Sequence, residues 1–326
     1  NILTNQNTNV YGGFGQVEWS SKTINFLLGG RLDKHNLIKN PIFSPRLNAL
    51  YKPTENLQMR ISYASGYRAP QAYEEDFHLT QVGGLSLRTF LAENLKPEYS
   101  NSLSFSLDYY LQLGDNYQTN LLFESFYTDL DDVFALKVIK SDTINNIMIQ
   151  ERYNASGAVV KGISLTGKLT YKDLYSITLG YTLQSSKYKE IQFWSEDPKV
   201  EGTDQMLRTP NNYGYTTFSI SPIKPLDISL TGTYTGKMKV PHFAGYIEND
   251  RIETILSFFD LNVSLAYSFS LSKSTGIKLS VGMKNILDSY QNDFDKTSFV
   301  LQHLEIALSY LFWIFLERYD KFFGEK

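Results

Sequence analysis

Four histidines stand at positions 35, 78, 242 and 303, and no cysteine occurs in the 326 residues. A catalytic thiol, a disulfide and a cysteine-based zinc site are therefore excluded together, and the redox compartment stays undetermined. The histidines fall in four separate segments. No metal-spaced pair, no Ser/His/Asp spacing and no phosphate-cradling glycine loop surrounds them. Enzymatic chemistry would need an assembly made by folding alone, so the expectation is a non-enzymatic chain without a resident metal or cofactor. Two acidic runs, Glu74 with Glu75 and Asp76, and Asp129 with Asp131 and Asp132, could gather a cation through hard oxygen ligands; a solvated acidic run is the plainer reading. Aromatic side chains beside mixed charge, at 188–199 with Phe193 and Trp194 and again at 243–251, suit an exposed surface that holds a bulky solute. With 34 acidic against 31 basic side chains, the chain has no basic field for nucleic acid.

These residues must be carried by something, and the carrier is legible as one period repeated many times. Leu57, Met59, Ile61 and Tyr63 share one face of an extended segment, with Gln58, Arg60 and Ser62 on the other. The alternation recurs at Val17/Trp19, Phe26/Leu28, Leu47/Tyr51, Leu103/Phe105/Leu107/Tyr109, Leu121/Phe123/Tyr127 and Ile163/Leu165/Leu169. It continues at Ile177/Leu179/Tyr181/Leu183, Ile228/Leu230/Tyr234, Leu261/Val263/Leu265/Tyr267 and Ile277/Leu279/Val281. Residues 213–221 alternate poorly and are assigned from their flanking turns. A last series, Leu304, Ile306, Leu308, Tyr310 and Phe312, completes thirteen strand candidates. Nothing reads as an amphipathic helix, and the uncharged run 306–316, at 11 residues, is too short for a helical span. The N-terminal residues lack the charged and apolar regions of an export signal, which is expected upstream or already removed.

The polar face of these strands is mostly Ser, Thr, Asn, Gln and Gly, which suits a wet interior better than a soluble sandwich surface. A strand of about ten residues tilted near 45° rises roughly 23 Å, close to the apolar band of an outer-membrane barrel. Aromatic ends such as Tyr63, Tyr109, Tyr171, Tyr181, Tyr234 and Tyr267 fit interfacial girdles. Connections alternate in length: short at 20–23, 52–56, 112–116, 172–174, 222–225 and 271–275, long at 34–42, 68–96, 185–212, 236–257 and 285–302. The link 140–146 joins the long side, at the tip of an overlong hairpin between 121–139 and 147–171. A closed antiparallel barrel of this kind has an even number of strands, and an open edge in lipid costs several kcal/mol per unpaired backbone group. The expected fold is therefore an all-β transmembrane antiparallel barrel of which this chain supplies about 13 C-terminal strands, with long extracellular loops and short periplasmic turns; the whole has 22 strands if it is a barrel of the large, plugged kind. Residues 1–312 are assigned to the partial barrel, and 313–326 to a C-terminal extension or the end of the last strand.

The box Ser62-Tyr-Ala-Ser-Gly-Tyr67-Arg68-Ala69-Pro70 resembles the end of an ascending strand in the TonB-dependent outer-membrane receptors. Phe43-Ser-Pro-Arg-Leu-Asn-Ala-Leu-Tyr-Lys-Pro-Thr54 resembles the preceding strand and turn, and Asn94-Leu-Lys-Pro-Glu98 the element that opens the following strand. Val160-Lys-Gly-Ile-Ser-Leu165 and Val281-Gly-Met-Lys-Asn-Ile-Leu-Asp288 are similar to later barrel signatures. The series from Leu304 to Phe312 resembles the terminal signal read by the barrel-assembly machinery, although the chain continues past Phe312. The family's plug domain and TonB box are missing from this sequence.

The resemblance implies a location in the bacterial outer membrane, surrounded by lipid, and active import energised by TonB, ExbB and ExbD through the missing plug. The implied ligand is a bulky small molecule, an iron-siderophore or haem first and a corrinoid as a further option. Tyr67, Arg68, Tyr73, Glu75, His78 and Trp194 are the candidate ligand contacts. Haem receptors of the family carry between the two boxes a histidine able to ligate iron, which is the argument for His78 as such a ligand; its bland reading is a solvated loop histidine. Arg68 and Pro70 have a bland reading too, because a strand-to-loop transition needs a stop and an interior anchor. A passive porin or structural barrel is the principal rival reading, and a barrel hydrolase the second.

Overall fold

The computed structural model describes residues 7–70, 86–142, 147–195, 197, 199–242, 247–271, 275–289 and 311–320. Among these residues nineteen strands follow one another. They are β1 (Val10–Ser20), β2 (Ile24–His35), β3 (Ile42–Thr54), β4 (Leu57–Arg68), β5 (Ser86–Leu91), β6 (Glu98–Leu113) and β7 (Tyr117–Asp131). Next come β8 (Phe134–Asp142), β9 (Ile147–Asn154), β10 (Gly157–Tyr171), β11 (Tyr175–Gln192), β12 (Thr203–Gln205) and β13 (Asn212–Ile223). The series closes with β14 (Leu226–Thr235), β15 (Met238–His242), β16 (Arg251–Ile255), β17 (Phe258–Ser270), β18 (Thr275–Lys284) and β19 (Leu311–Asp320).

Thirteen of them form one antiparallel meander, β1-β2-β3-β4-β6-β7-β10-β11-β13-β14-β17-β18-β19, with β12 as a side branch on β11. The first twelve correspond to the first twelve alternating segments. Register explains why the sheet holds together. The row Val17, Leu28, Leu47, Tyr63, Leu103 and Tyr127 runs across six strands as successive partners. A second row joins Ile228, Leu265 and Val281. A one-residue slip anywhere would carry Leu to the polar side, so the alternation locks the pairing. On the other face, cross-strand polar pairs close the ladder: Asn48 Nδ2 donates to Ser62 Oγ at 2.6 Å, Ser102 and Thr128 lie 3.0 Å apart, and Ser164 and Thr182 2.5 Å.

The apolar face is not covered by protein. Leu179 is 54% exposed and Leu165 58%, values that in water would leave a continuous greasy surface. The buried apolar residues instead lie at the long-loop end, in two small clusters, Ile38/Ile42/Ala69 and Val133/Ala155/Ala158, and on the β15–β16 ribbon at Val240 and Ile255. Among the described residues β1 and β19 each have a partner on one side only.

The poorly alternating strand β13 has a physical explanation. Gly214 and Thr216 occupy its apolar-face positions beside Tyr181 and Leu179, while Tyr213 and Tyr215 point to the polar side. The Tyr215 ring lies over Gly180, where an added Cβ would meet the ring at 2.3 Å. Bulk and backbone are thus exchanged between neighbouring strands. The short turns lie at 21–23, 55–56, 114–116, 172–174 and 224–225, as expected, with Gly114 (φ 62) and Lys172 (φ 45) supplying left-handed backbone.

Two expectations need correction. The overlong hairpin is two hairpins in line: β7 stops at Asp131, Asp132 turns with φ 54, and β10 begins only at Gly157 (φ 132). Beyond the break, β8 and β9 pair with each other and β5 adds in parallel to β9, forming a separate three-stranded sheet. Second, the long connections contain strands, namely β5, β12, β15 and β16, where only loops were expected. The last described strand, Leu311–Asp320, pairs Thr275–Lys284 residue by residue and includes Phe312, as in the alternative that the last strand runs on past that residue. Ten ladder positions on β18 set that length. Leu304, Ile306, Leu308 and Tyr310 lie outside the described residues.

Candidate ligand-binding site

All the long connections leave the same end of the sheet, because each follows an even step of the meander. About ten residues of β11 suffice to cross the apolar band, so residues 185–192 rise above it and carry the loop that follows. Trp194 sits in that loop, its Nε1 donating to Glu201 O at 3.2 Å.

Trp194 and Thr203 line two clefts in common. The larger, of about 640 Å³, is bounded by Trp194, Lys199, Glu201, Lys239, Asp250 and Arg251. The smaller, of about 320 Å³, is walled by Phe134, Arg152, Tyr153, Tyr188, Phe193 and Trp194. Ser195 Oγ donates to Asp250 Oδ2 at 2.5 Å and ties the Trp194 loop to the β15–β16 ribbon. Lys187 Nζ donates to Asp204 Oδ2 at 2.7 Å and ties β12 down onto β11. That lysine holds the Asp204 carboxyl below its ordinary range. Burial, and then the nearby Glu98 carboxylate, push the Tyr188 phenol above its ordinary value, so it stays a hydroxyl donor at neutral pH.

The smaller cleft combines a nearly buried guanidinium with aromatic faces. Arg152 is 5% exposed and its Cζ lies 5.9 Å from the centre of the Phe134 ring. Lys137 stands 5.4 Å over the Tyr153 ring and pairs with Glu151. Such a surface can take a solute with planar, aromatic or anionic parts. The larger cleft offers both signs of charge and suits a polar, hydrogen-bonding one.

The sequence-derived candidates separate here. The loops 188–199 and 243–251 do meet, through Ser195 and Asp250 and around the larger cleft. Neither Tyr67 nor Arg68 lines the two clefts. Tyr67 packs half-buried against Ile38, Ile42 and Ala69, and Arg68 pairs with Glu98 at 3.0 Å while lying 4.8 Å over the Phe134 ring. Both hold strands and loops together in this arrangement. Tyr73, Glu75 and His78 lie outside the described residues. The acidic group at the end of β7 is occupied by lysines: Lys189 reaches Asp129 at 2.6 Å and Asp131 at 2.7 Å, and Lys96 reaches Asp132 at 3.5 Å. Among the described residues no cluster of three or more His, Asp or Glu could hold a metal ion. Sequence reasoning missed Phe134, Arg152 and Tyr153, which have no local pattern and meet Trp194 only through the three-stranded sheet.

The family model described as TonB dependent receptor-like, beta-barrel, matches residues 2–286. No curated relative matches the sequence. Among solved structures, the siderophore receptor PirA from Acinetobacter baumannii aligns with a TM-score of 0.61 at 19% identity, over 86% of this chain and 42% of that one. A G324V mutant of the ferric enterobactin receptor PfeA from Pseudomonas aeruginosa aligns at 0.59 and 19% identity, over 86% and 40%. The FrpB iron transporter from Neisseria meningitidis, F5-1 variant, aligns at 0.61 and 15% identity, over 89% and 43%. The chain thus spans about two-fifths of the length of these structures. The apolar outer face, the hydroxyl-lined inner face and the alternation of short turns with long connections are those of a bacterial outer-membrane barrel, and the chain belongs to the TonB-dependent receptor β-barrel family.

Proposed function

We propose that the complete receptor containing this chain imports a bulky, scarce ligand across the outer membrane, driven by TonB, ExbB and ExbD, after insertion by the barrel-assembly machinery. An iron-siderophore or haem is the leading ligand and a corrinoid the next. The chain acts as binder and conduit, without enzymatic chemistry of its own. The observation that carries the reading is the pair of clefts meeting at Trp194 above a polar inner wall. Their combined size and mixed chemistry suit a large solute with aromatic and charged parts, as opposed to a stream of small ones. The siderophore and iron receptors among its structural neighbours support the same ligand class.

The test is uptake by cells carrying the complete receptor, with a ferric catecholate, a ferric hydroxamate, haem and cobalamin offered singly, in TonB-competent and TonB-deficient hosts. Import of one of them that disappears without TonB is the expected result. Uptake that persists without TonB supports the porin reading instead. Within the active case, Trp194→Ala should weaken surface binding about tenfold or more, as loss of a buried aromatic anchor does.

A further inference from the structure

The short-turn end of the sheet carries a cluster that ligand capture at the far end does not use. Tyr117, Tyr171 and Tyr175 are successive register partners on β7, β10 and β11. They share the apolar face with Leu169 and Ile177, so they look outward toward lipid. Their ring centroids are 4.7 Å and 5.4 Å apart along the row. Lys172, next in the chain, stands exposed in the tight turn with its ammonium 5.7 Å from the Tyr171 ring centre.

This turn is held on both sides. Lys172 N donates to Asn116 O at 2.9 Å, Leu174 N to Tyr171 O at 3.0 Å, and Ser221 N to Leu174 O at 2.7 Å. A cation and three phenols are therefore presented at a fixed level at the foot of the apolar face, where amphipathic rings meet headgroups. Asp115 and Asp173 lie in the same pair of turns, so a diffuse positive field is not the attraction. The attraction is local: one ammonium over a ring face with hydroxyls beside it, a donor set that matches phosphate oxygens.

We infer that Lys172, with Tyr117, Tyr171 and Tyr175, binds the phosphodiester headgroup of an anionic glycerophospholipid in the periplasmic leaflet. Its acyl chains lie along Leu121, Leu169 and Ile177, and the phenols donate to the phosphate while the ammonium balances its charge. The phosphates of lipid A belong to the opposite leaflet, about 23 Å away along the tilted strands, and do not reach this site.

The experiment uses the complete receptor in nanodiscs of equal dioleoylphosphatidylglycerol and dioleoylphosphatidylcholine, released into a native mass spectrometer to count retained lipids. Lys172→Ala should lower retained phosphatidylglycerol about five-fold, the effect of one lysine near an anionic surface. Lys172→Arg should keep it, and phosphatidylcholine should be unaffected by either. Equal phosphatidylglycerol on parent and Lys172→Ala overturns the proposal, as does an equal loss of both lipids or displacement of phosphatidylglycerol by added lipid A. Unchanged heat-modifiable mobility on gels establishes that each variant is folded.

Discussion

Arg68 and Glu98 are register partners across β4 and β6, and the Glu98 oxygen that holds the guanidinium at 3.0 Å also accepts the backbone N–H of Phe134 at 3.0 Å. One carboxylate thereby joins the end of the membrane sheet to the first residue of β8. The three-stranded extracellular sheet, and with it the smaller cleft, hangs from this joint.

The two partners should not be equivalent. Arg68 is half-exposed, so Arg68→Ala should cost about 1 kcal/mol or less, as exposed ion pairs do. Glu98 is mostly buried and also serves a backbone donor, so Glu98→Ala should cost about 2 kcal/mol. Urea titration of the refolded complete receptor measures both. A larger loss from Arg68→Ala than from Glu98→Ala would contradict the joint as described.

The two faces of the sheet should differ in what they tolerate. Leu179 lies four residues from Tyr175, about 10 Å into the apolar band. Leu179→Arg should cost about 2–4 kcal/mol. Thr182→Ala, which removes a polar inner-face partner of Ser164, should cost only about 1 kcal/mol. Reversible folding into lipid vesicles gives both numbers, and a tolerated arginine at 179 would mean that this face does not meet lipid.

Acid should loosen β12 before the main sheet. The Asp204 pKa is lowered by Lys187, so the tether is complete above the ordinary aspartate range of about 4 and is lost as pH falls through the depressed value. The protection of amides 203–205 against exchange, relative to unstructured chain at the same pH, should therefore fall below about pH 4 while β10 and β11 stay protected. Lys187→Ala should remove that protection at neutral pH as well. Equal protection in parent and variant across the titration would remove Asp204 as the tether.

His78 distinguishes ligands. In cells that depend on haem for iron, His78→Ala in the complete receptor should slow growth if haem is the cargo, and should have no effect if a siderophore is. Equal haem-dependent growth of parent and variant disposes of a haem-ligating role for this histidine.

How much of this was legible beforehand follows from the range of the interactions involved. Alternation is a local property, set by side chains pointing to opposite sides of one strand, so the segments around Ile61, Leu165 and Leu265 announced their strands and their lipid side directly. The strand containing Tyr213 did not, because its bulk is supplied by neighbours: Tyr181 fills the space over Gly214 and Tyr215 the space over Gly180. The three-residue β12 and the parallel partner β5 have no signature of their own, since each exists only as an addition to β11 or β9.

The amino-acid sequence alone determined twelve of the thirteen strands of the meander, its two unlike faces and the end from which the long connections leave, because a period of two and a short turn need nothing beyond adjacent residues. Tertiary structure alone decided that Arg152 and Phe134 meet Trp194, that Asp129 and Asp131 are occupied by Lys189, and that Glu98 carries the outer sheet. Those groups lie tens of residues apart in the chain, and only hydrogen-bonded neighbours in the sheet bring them within reach.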